Sequence, residues 1–251
     1  MTEADLDPSN WGDEVAGRTD RLPAGWRRHV RHAHLDLIDR WAAPLHGRWL
    51  KTDLFEEMSD ERSLLAGLAG RADWVGIDVS DAVHRRRRGG GAHATRADVR
   101  RLPFNGDAFD GVLSTSTLDH FEDVADIECS VGELRRVMRD GGVLILTLDN
   151  PTNPLIRLRN GLPVVWQRRS GLVPFFVGAT LSAGAGRAVL ERQGFRVTAC
   201  EHFLHAPHVI GTRPARWRWY EERVLPSLDR LGNTKVAPVT GHYVAFRAVA
   251  A

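Results

Sequence analysis

The sequence predicts an α/β protein built on a doubly wound, mostly parallel sheet with helices on both faces, and three observations predict it. Trp74–Ile77 and Val143–Leu148 are apolar without polar alternation, the pattern of strands buried on both faces. Phe121, Val124, Ile127, Val131, Leu134 and Val137 recur at three and four, the period of an amphipathic helix. The two patterns alternate along the chain, which is the order of βαβ units.

Each element follows in turn. Residues 1–23 are polar and aperiodic, as in a mobile tail, so the folded domain is expected over 24–251. Trp26, Val30, Ala33, Leu37, Ile38 and Trp41 share one helix face, and Pro44 stops that helix. Arg48–Thr52 is a short apolar strand. Leu54, Phe55, Met58, Leu64, Leu65 and Leu68 could line one further helix, with Gly67 or Gly70 near its end. The Trp74–Ile77 strand ends at Asp78. His84–Gly91, HRRRRGGG, reads as an exposed loop, Ala92–Ala97 as a strand and Phe109–Ser114 as another. The helix ending near Val137 passes through Asp140-Gly141-Gly142 into the Val143–Leu148 strand. Prolines 151, 154, 163 and 174 then break up a stretch rich in Trp, Phe and Val. Leu181–Gln193 is helical with Gly194 as its cap, Phe195–Phe203 is a strand, and His242–Val249 alternates weakly as the last one.

Composition narrows the class. The 251 residues are 43% hydrophobic and 26% charged, ordinary for a globular protein, and the net charge is only +2. No apolar run has membrane-spanning length and the N-terminus is acidic, so a cytoplasmic location is expected. Cys129 and Cys200 are too few and too far apart for a disulfide framework. His202, His205 and His208 lack the spacing of a metal site on a strand, so no metal is expected.

In an open parallel sheet, ligands bind beyond the carboxyl ends of the strands, near the point where strand order reverses. The residues expected there are Thr52 and Asp53, then Asp78 with Val79, then Asp98 and Val99. Ser114–Ser116 follow the fourth strand, and Asp149 and Asn150 follow the fifth. An acidic residue at the end of the second strand suits a ribose, because a carboxylate accepts from both hydroxyls. Asp78-Val79-Ser80-Asp81 is also good capping chemistry for a following helix, so both roles stay open for Asp78.

Here a family resemblance enters. ADVRRLPFNGDAFDGVL, Ala97 to Leu113, and ELRRVMRDGGVLILT, Glu133 to Thr147, follow GIDVS in the order found in class I methyltransferases, which the chain resembles. The resemblance implies a Rossmann-like fold of seven strands and S-adenosylmethionine as cofactor. It implies that Asp98 accepts from the adenine amino group while the Val99 N–H meets a ring nitrogen, with Leu102 and Phe104 packed nearby. For Asp98 a turn-capping role is the alternative.

One part departs from the family. Its glycine-rich turn after the first strand is replaced by GRWLKTDLFEE, with no glycine after Trp49. Thr52, Asp53 and Glu57 are expected to make the contacts differently, with carboxylates receiving the methionyl ammonium and the sulfonium nearby, and the segment resembles a branch of bacterial methyltransferase-like proteins with a KTDLF-type segment here. The alternative is a non-methylating catalyst or binder on the same scaffold.

Methyl transfer is an in-line displacement that needs alignment and dryness more than acid–base machinery. A base is required only if the acceptor is a hydroxyl or a protonated amine. Ser116, Asp119 and His120 lie within reach of the acceptor. His120 is the first candidate for the base because an imidazole exchanges protons near neutrality, and helix packing or capping is its other role. The helix over 24–43 and the segment 151–180, with Trp166, Phe175 and Phe176, are expected to cover a small, partly apolar acceptor. Arg85–Arg88 and RPARWRWY raise a nucleic-acid substrate as a rival, but no RNA-binding module accompanies them.

Overall fold

The computed structural model describes residues 23–58, 63–86, 93–161, 178–206 and 218–251. The expected tail, all of Trp166, Phe175, Phe176 and His208, and Arg87 and Arg88 of the arginine run lie outside the described residues.

A seven-stranded sheet carries the fold: β1 Arg48–Lys51, β2 Asp73–Asp78, β3 His93–Arg96, β4 Phe109–Thr115, β5 Met138–Asp149, β6 Phe195–Phe203 and β7 Tyr243–Ala250. Their order across the sheet is β3-β2-β1-β4-β5-β7-β6. β1 to β5 are parallel neighbours, and β7 enters antiparallel to both β5 and β6. The order reverses between β1 and β4. Their carboxyl ends therefore border the crevice in which ligands bind in such sheets.

The helices are α1 Ala24–Ala42, α2 Leu64–Gly67, α3 Asp81–Arg86, α4 Val124–Val137, α5 Pro154–Asn160, α6 Ala183–Arg192, α7 Leu225–Asp229 and α8 Ala237–Thr240. A 3-10 turn covers Glu56–Met58, another Leu118–His120, and Tyr220–Val224 is a π-helical turn. α4 forms because Ile127, Val131, Leu134 and Val137 share one apolar face, and all four are buried in the core. α5 starts at the Asn153 side chain, which accepts from the Leu155 N–H, followed by Pro154 where no donor is needed. α6 starts at Ser182, whose side chain accepts from the Ala185 N–H. It ends before Gly194, whose φ of +85° suits glycine.

Two apolar clusters form on the sheet. One gathers α4, α6 and the inner residues of β5 and β7 around Phe109, Leu144 and Phe246. The other packs α1 through Trp26, Leu37 and Ile38 against Trp49, Trp74 and Ile145. α1 is thus a core layer of the domain.

Two expectations need correction. The apolar residues from Leu54 to Leu68 do not line one helix: a 3-10 turn and the short α2 flank residues 59–62, and Glu57 rather than a continuous helix ties the two pieces. His84 is not in an exposed loop. It lies in α3, half-buried, with Nε2 at 3.1 Å from the Asp78 carbonyl. The arginines that follow it hid that contact, because a charge run reads as solvated.

The family-like motifs meet in space for a mechanical reason. Glu133 on α4 accepts from the Leu102 N–H, while Arg136 donates to the Leu102 and Phe104 carbonyls. The ELRR helix thereby clamps the RLPF loop. Asp110 accepts from the Arg48 N–H and from the Arg139 guanidinium, which pins the start of β1 to β4.

Candidate functional site

The first turn replaces glycine with a buried cation. Lys51, with 0% of its side chain exposed, donates to the Asp53 carbonyl at 2.8 Å. Its ammonium lies 3.7 Å from carboxylate oxygens of Asp53, Glu56 and Glu57. Burial works against the charge, but those acids and Asp78 hold the ammonium protonated, well above the usual lysine range. Glu57 is buried, accepts from Ser63 and sits by the Leu65 N–H, so it caps α2 rather than facing a ligand. Asp53 and Glu56 remain partly open, at 18% and 23%.

Thr52 and Ser114 are buried and bonded to each other, Oγ1 to Oγ at 3.0 Å, with Thr117 completing the hydroxyl knot at 2.8 Å from Thr52. Their side chains join the tips of β1 and β4, and neither hydroxyl faces outward. Asp53 Oδ1 accepts from the Phe55 N–H, and its Oδ2 accepts from Thr117.

Asp78 closes two backbone turns. One carboxylate oxygen accepts from the Ser80 N–H at 2.8 Å, a local turn, and the other from the Leu54 N–H at 3.1 Å, across the first turn. Those bonds use about two of roughly four lone-pair positions, so acceptor capacity remains. Burial, and next the Asp53 carboxylate, raise its pKa. Beside it, the Val79 carbonyl accepts from Arg96.

Asp98 lies one strand further out, joined through the Ala97 N–H to the Asp78 carbonyl. Its carboxylate accepts from the Arg100 N–H and from the Arg100 guanidinium, at 2.7–3.1 Å. Burial would raise its pKa, but the Arg100 bonds dominate and lower it. Val99 is buried, as is Leu102, and Phe104 packs on the same cluster.

On the other side of the crevice, Ser116 ends β4 with φ +47°, a strained value for a residue other than glycine. Asp119, 1% exposed, accepts from the Asp149 N–H at 3.0 Å through Oδ2. Its Oδ1 has no hydrogen-bond partner among the described residues and lies 3.9 Å from His120 Nε2. Burial, and the nearby Asp149, push the Asp119 carboxyl up to about 6 against the pull of His120. Asp149 itself is paired with Arg159 and stands 3.4 Å from His242 Nε2, which together override burial and keep it ionised. His120 is 27% exposed at the mouth of this group.

The sequence of the methyltransferase-domain family matches residues 61–146, a span that begins after the altered first turn. A protein of Encephalitozoon cuniculi, named as a methyltransferase, is 40% identical over 134 residues, 49% of this chain and 64% of that protein. The matched region thus spans less than two thirds of that relative. A crystal structure of an S-adenosylmethionine-dependent methyltransferase from Archaeoglobus fulgidus superposes with a TM-score of 0.60 at 16% identity, over 89% of this chain and 94% of that one. Residues 61–146 match the methyltransferase-domain family, and the chain has the fold of the class I methyltransferases. S-adenosylmethionine is the cofactor of that family. The [4+2]-cyclase SpnF has the same fold, with a TM-score of 0.53 at 15% identity over 86% of this chain and 79% of that one.

Several residues of this site were not singled out from sequence. His34 on α1 lies edge-on to Tyr243, ring centroids 5.5 Å apart, with Nδ1 at 2.9 Å from the Val30 carbonyl. Burial lowers its pKa to about 4. Tyr243 faces Asp149 across the β5–β7 ladder. Only the apolar period of α1 is visible in sequence, and a histidine on that face carries no further signal. Among the described residues no group of three metal-ligating side chains forms, and both ring nitrogens of His205 are held by Thr240 and the His202 carbonyl.

His34 makes acid stability testable. Its folded pKa, about 4, lies below the unfolded value of 6.5, so the unfolded chain binds the extra proton between those values. Stability is therefore lost as pH falls through that window, by about 2 kcal/mol between pH 7 and pH 5 from this group. Asp119 acts with the opposite sign over about 4 to 6, so the test is a difference. Urea unfolding of His34→Leu is expected to lose less stability than the parent over that step; an equal loss in both would refute the assignment.

Proposed function

We propose that the protein is an S-adenosylmethionine-dependent methyltransferase acting on a small-molecule acceptor by in-line transfer. The observation that carries this reading is the acidic rim at the strand switch point. Asp53, Glu56 and Asp78 converge there around a lysine that is itself inaccessible. A partly open rim of carboxylates suits a ligand bearing an ammonium and a sulfonium, and it is unsuited to pyrophosphate, which favours glycine-lined N–H groups. The cofactor, when bound, supplies an electrophilic methyl group on a sulfur that departs neutral.

In this reading Asp53 and Glu56 hold the methionyl end and Asp78 the ribose, with the Val79 backbone alongside. Asp98 and Val99 hold the adenine edge, with Arg100 sharing the Asp98 carboxylate. Thr52 and Ser114 act by fixing the shape of the turn. His120 takes the acceptor's proton. α1 and the start of the 151–180 segment cover the acceptor side. No helix among the described residues is long and apolar enough to cross a membrane.

Because a cyclase shares the fold, the fold does not decide the reaction. Calorimetry with S-adenosylhomocysteine tests the cofactor pocket, and transfer of labelled methyl tests the reaction. Binding is expected, weakened about tenfold in Asp78→Asn, the scale of one charge-assisted hydrogen bond. No detectable heat with the parent protein would end the methyltransferase reading, and an unchanged affinity in Asp78→Asn would remove Asp78 from the pocket.

A further inference from the structure

The chain leaves β1 by a turn that no left-handed residue makes. From Thr52 to Met58 no residue has a positive φ, so the backbone there needs no glycine. A set of bonds shapes the turn instead. Lys51 Nζ donates to the Asp53 carbonyl at 2.8 Å, and the Phe55 N–H donates to Asp53 Oδ1 at 2.9 Å. The Leu54 N–H donates to Asp78 Oδ2 at 3.1 Å. The Leu54 side chain lies over Gly76 of β2, where an added Cβ would come within 2.4 Å of it. Of these ties, the lysine alone runs from β1 itself into the turn.

The place of Lys51 is as informative as its bond. Its side chain has no exposed surface, so it cannot touch a ligand. Any effect it has on binding passes through the groups it holds. Of its three carboxylates, Glu57 is taken up by Ser63 and the start of α2, whereas Asp53 and Glu56 are partly open at the crevice. Both of these acids stand 3.7 Å from the one ammonium. Without it, two like charges would face each other beside a third, Asp78, and would repel. The hydroxyls of Thr117 and Thr115, at 3.3 Å from Asp53 and 3.4 Å from Glu56, add neutral bonds but no countercharge.

We propose that Lys51 is a positioning residue for the cofactor, which sets the first turn and holds the Asp53 and Glu56 carboxylates where the methionyl ammonium meets them. This deepens the methyltransferase reading and rests on it. The effect is local. Asp78 has its own bond to the Ser80 N–H, and Asp98 is held by Arg100, so the adenosine side of the pocket does not depend on the lysine.

That locality is tested with two ligands that differ in one part. S-adenosylhomocysteine carries the amino-acid end, while 5′-methylthioadenosine has the same adenosine and a thioether but no amino-acid end. In calorimetry on the whole protein, the parent is expected to bind S-adenosylhomocysteine more tightly by about tenfold or more, the scale of a charge-assisted contact. In Lys51→Met that preference is expected to vanish, because S-adenosylhomocysteine weakens while the affinity for 5′-methylthioadenosine is unchanged. The double variant Lys51→Met/Glu57→Gln removes the buried acid together with its countercharge, and it carries the same comparison if the single variant does not fold. The proposal is overturned if both ligands weaken together, as mere support of the fold would give. It is equally overturned if neither weakens, or if the parent shows no preference. Failure of the parent to bind either ligand is a separate outcome that strikes the methyltransferase reading instead.

Discussion

Lys51→Met is expected to lower the unfolding free energy by about 3–5 kcal/mol, measured by urea denaturation at pH 7. Methionine has nearly the length and volume of the lysine stem, so packing is little changed. What is lost is the ammonium that lies 3.7 Å from three carboxylates and donates to the Asp53 carbonyl. Glu57, buried beside it, then keeps a charge without its countercharge, which is the costly way to break a buried pair. A loss of this size is a large share of the 5–15 kcal/mol typical of a whole domain. The folded pKa lies above the unfolded 10.5, so this stabilisation is fully present below pH 10.5 and is lost as pH rises from there through the folded value. A change below about 1 kcal/mol would mean that the charged turn does not organise β1.

His120→Ala is expected to reduce turnover by about 10²–10⁴-fold, the range for removing a positioned base. Turnover would be followed as labelled methyl passed from S-adenosylmethionine to an acceptor found by screening small nucleophiles. The imidazole is the partly exposed member of the group at the end of β4, and Asp119 behind it is buried and anchored by the Asp149 N–H. Affinity for S-adenosylhomocysteine is expected to hold, because His120 lies across the crevice from the first turn. Full turnover in the variant would show that another group, or water, takes the proton.

These two residues illustrate unequal legibility. His120 was visible because a histidine after the fourth strand stands where acceptors lie in such sheets. Lys51 was passed over, since a lysine beside Asp53, Glu56 and Glu57 reads equally well as a solvated charged loop. Asp78 had two open roles, a ribose contact and a local cap; the local bond to the Ser80 N–H occurs, and its other oxygen meets the Leu54 N–H, a contact across the first turn that sequence did not suggest. Thr52 and Ser114 were expected at a ligand, yet their hydroxyls satisfy each other inside the sheet. Hydroxyl residues at neighbouring strand tips can bond across the gap only when the strands are adjacent, and adjacency of β1 and β4 is a fact of topology.

By itself the sequence determined the local elements: apolar runs made the parallel strands, the three-and-four period made α1, α4 and α6, and Gly194 ended α6 where a positive φ was needed. Those outcomes depend on side chains within a few positions of one another. Only the tertiary structure decided that β7 inserts between β5 and β6, which carries Tyr243 and His242 to the tip of β5 beside Asp149 and Asp119. It also decided that α1 delivers His34 to the same place. The reason is range: periodicity states which face of an element is buried, whereas strand order alone states which distant polar groups come to share a low-dielectric space.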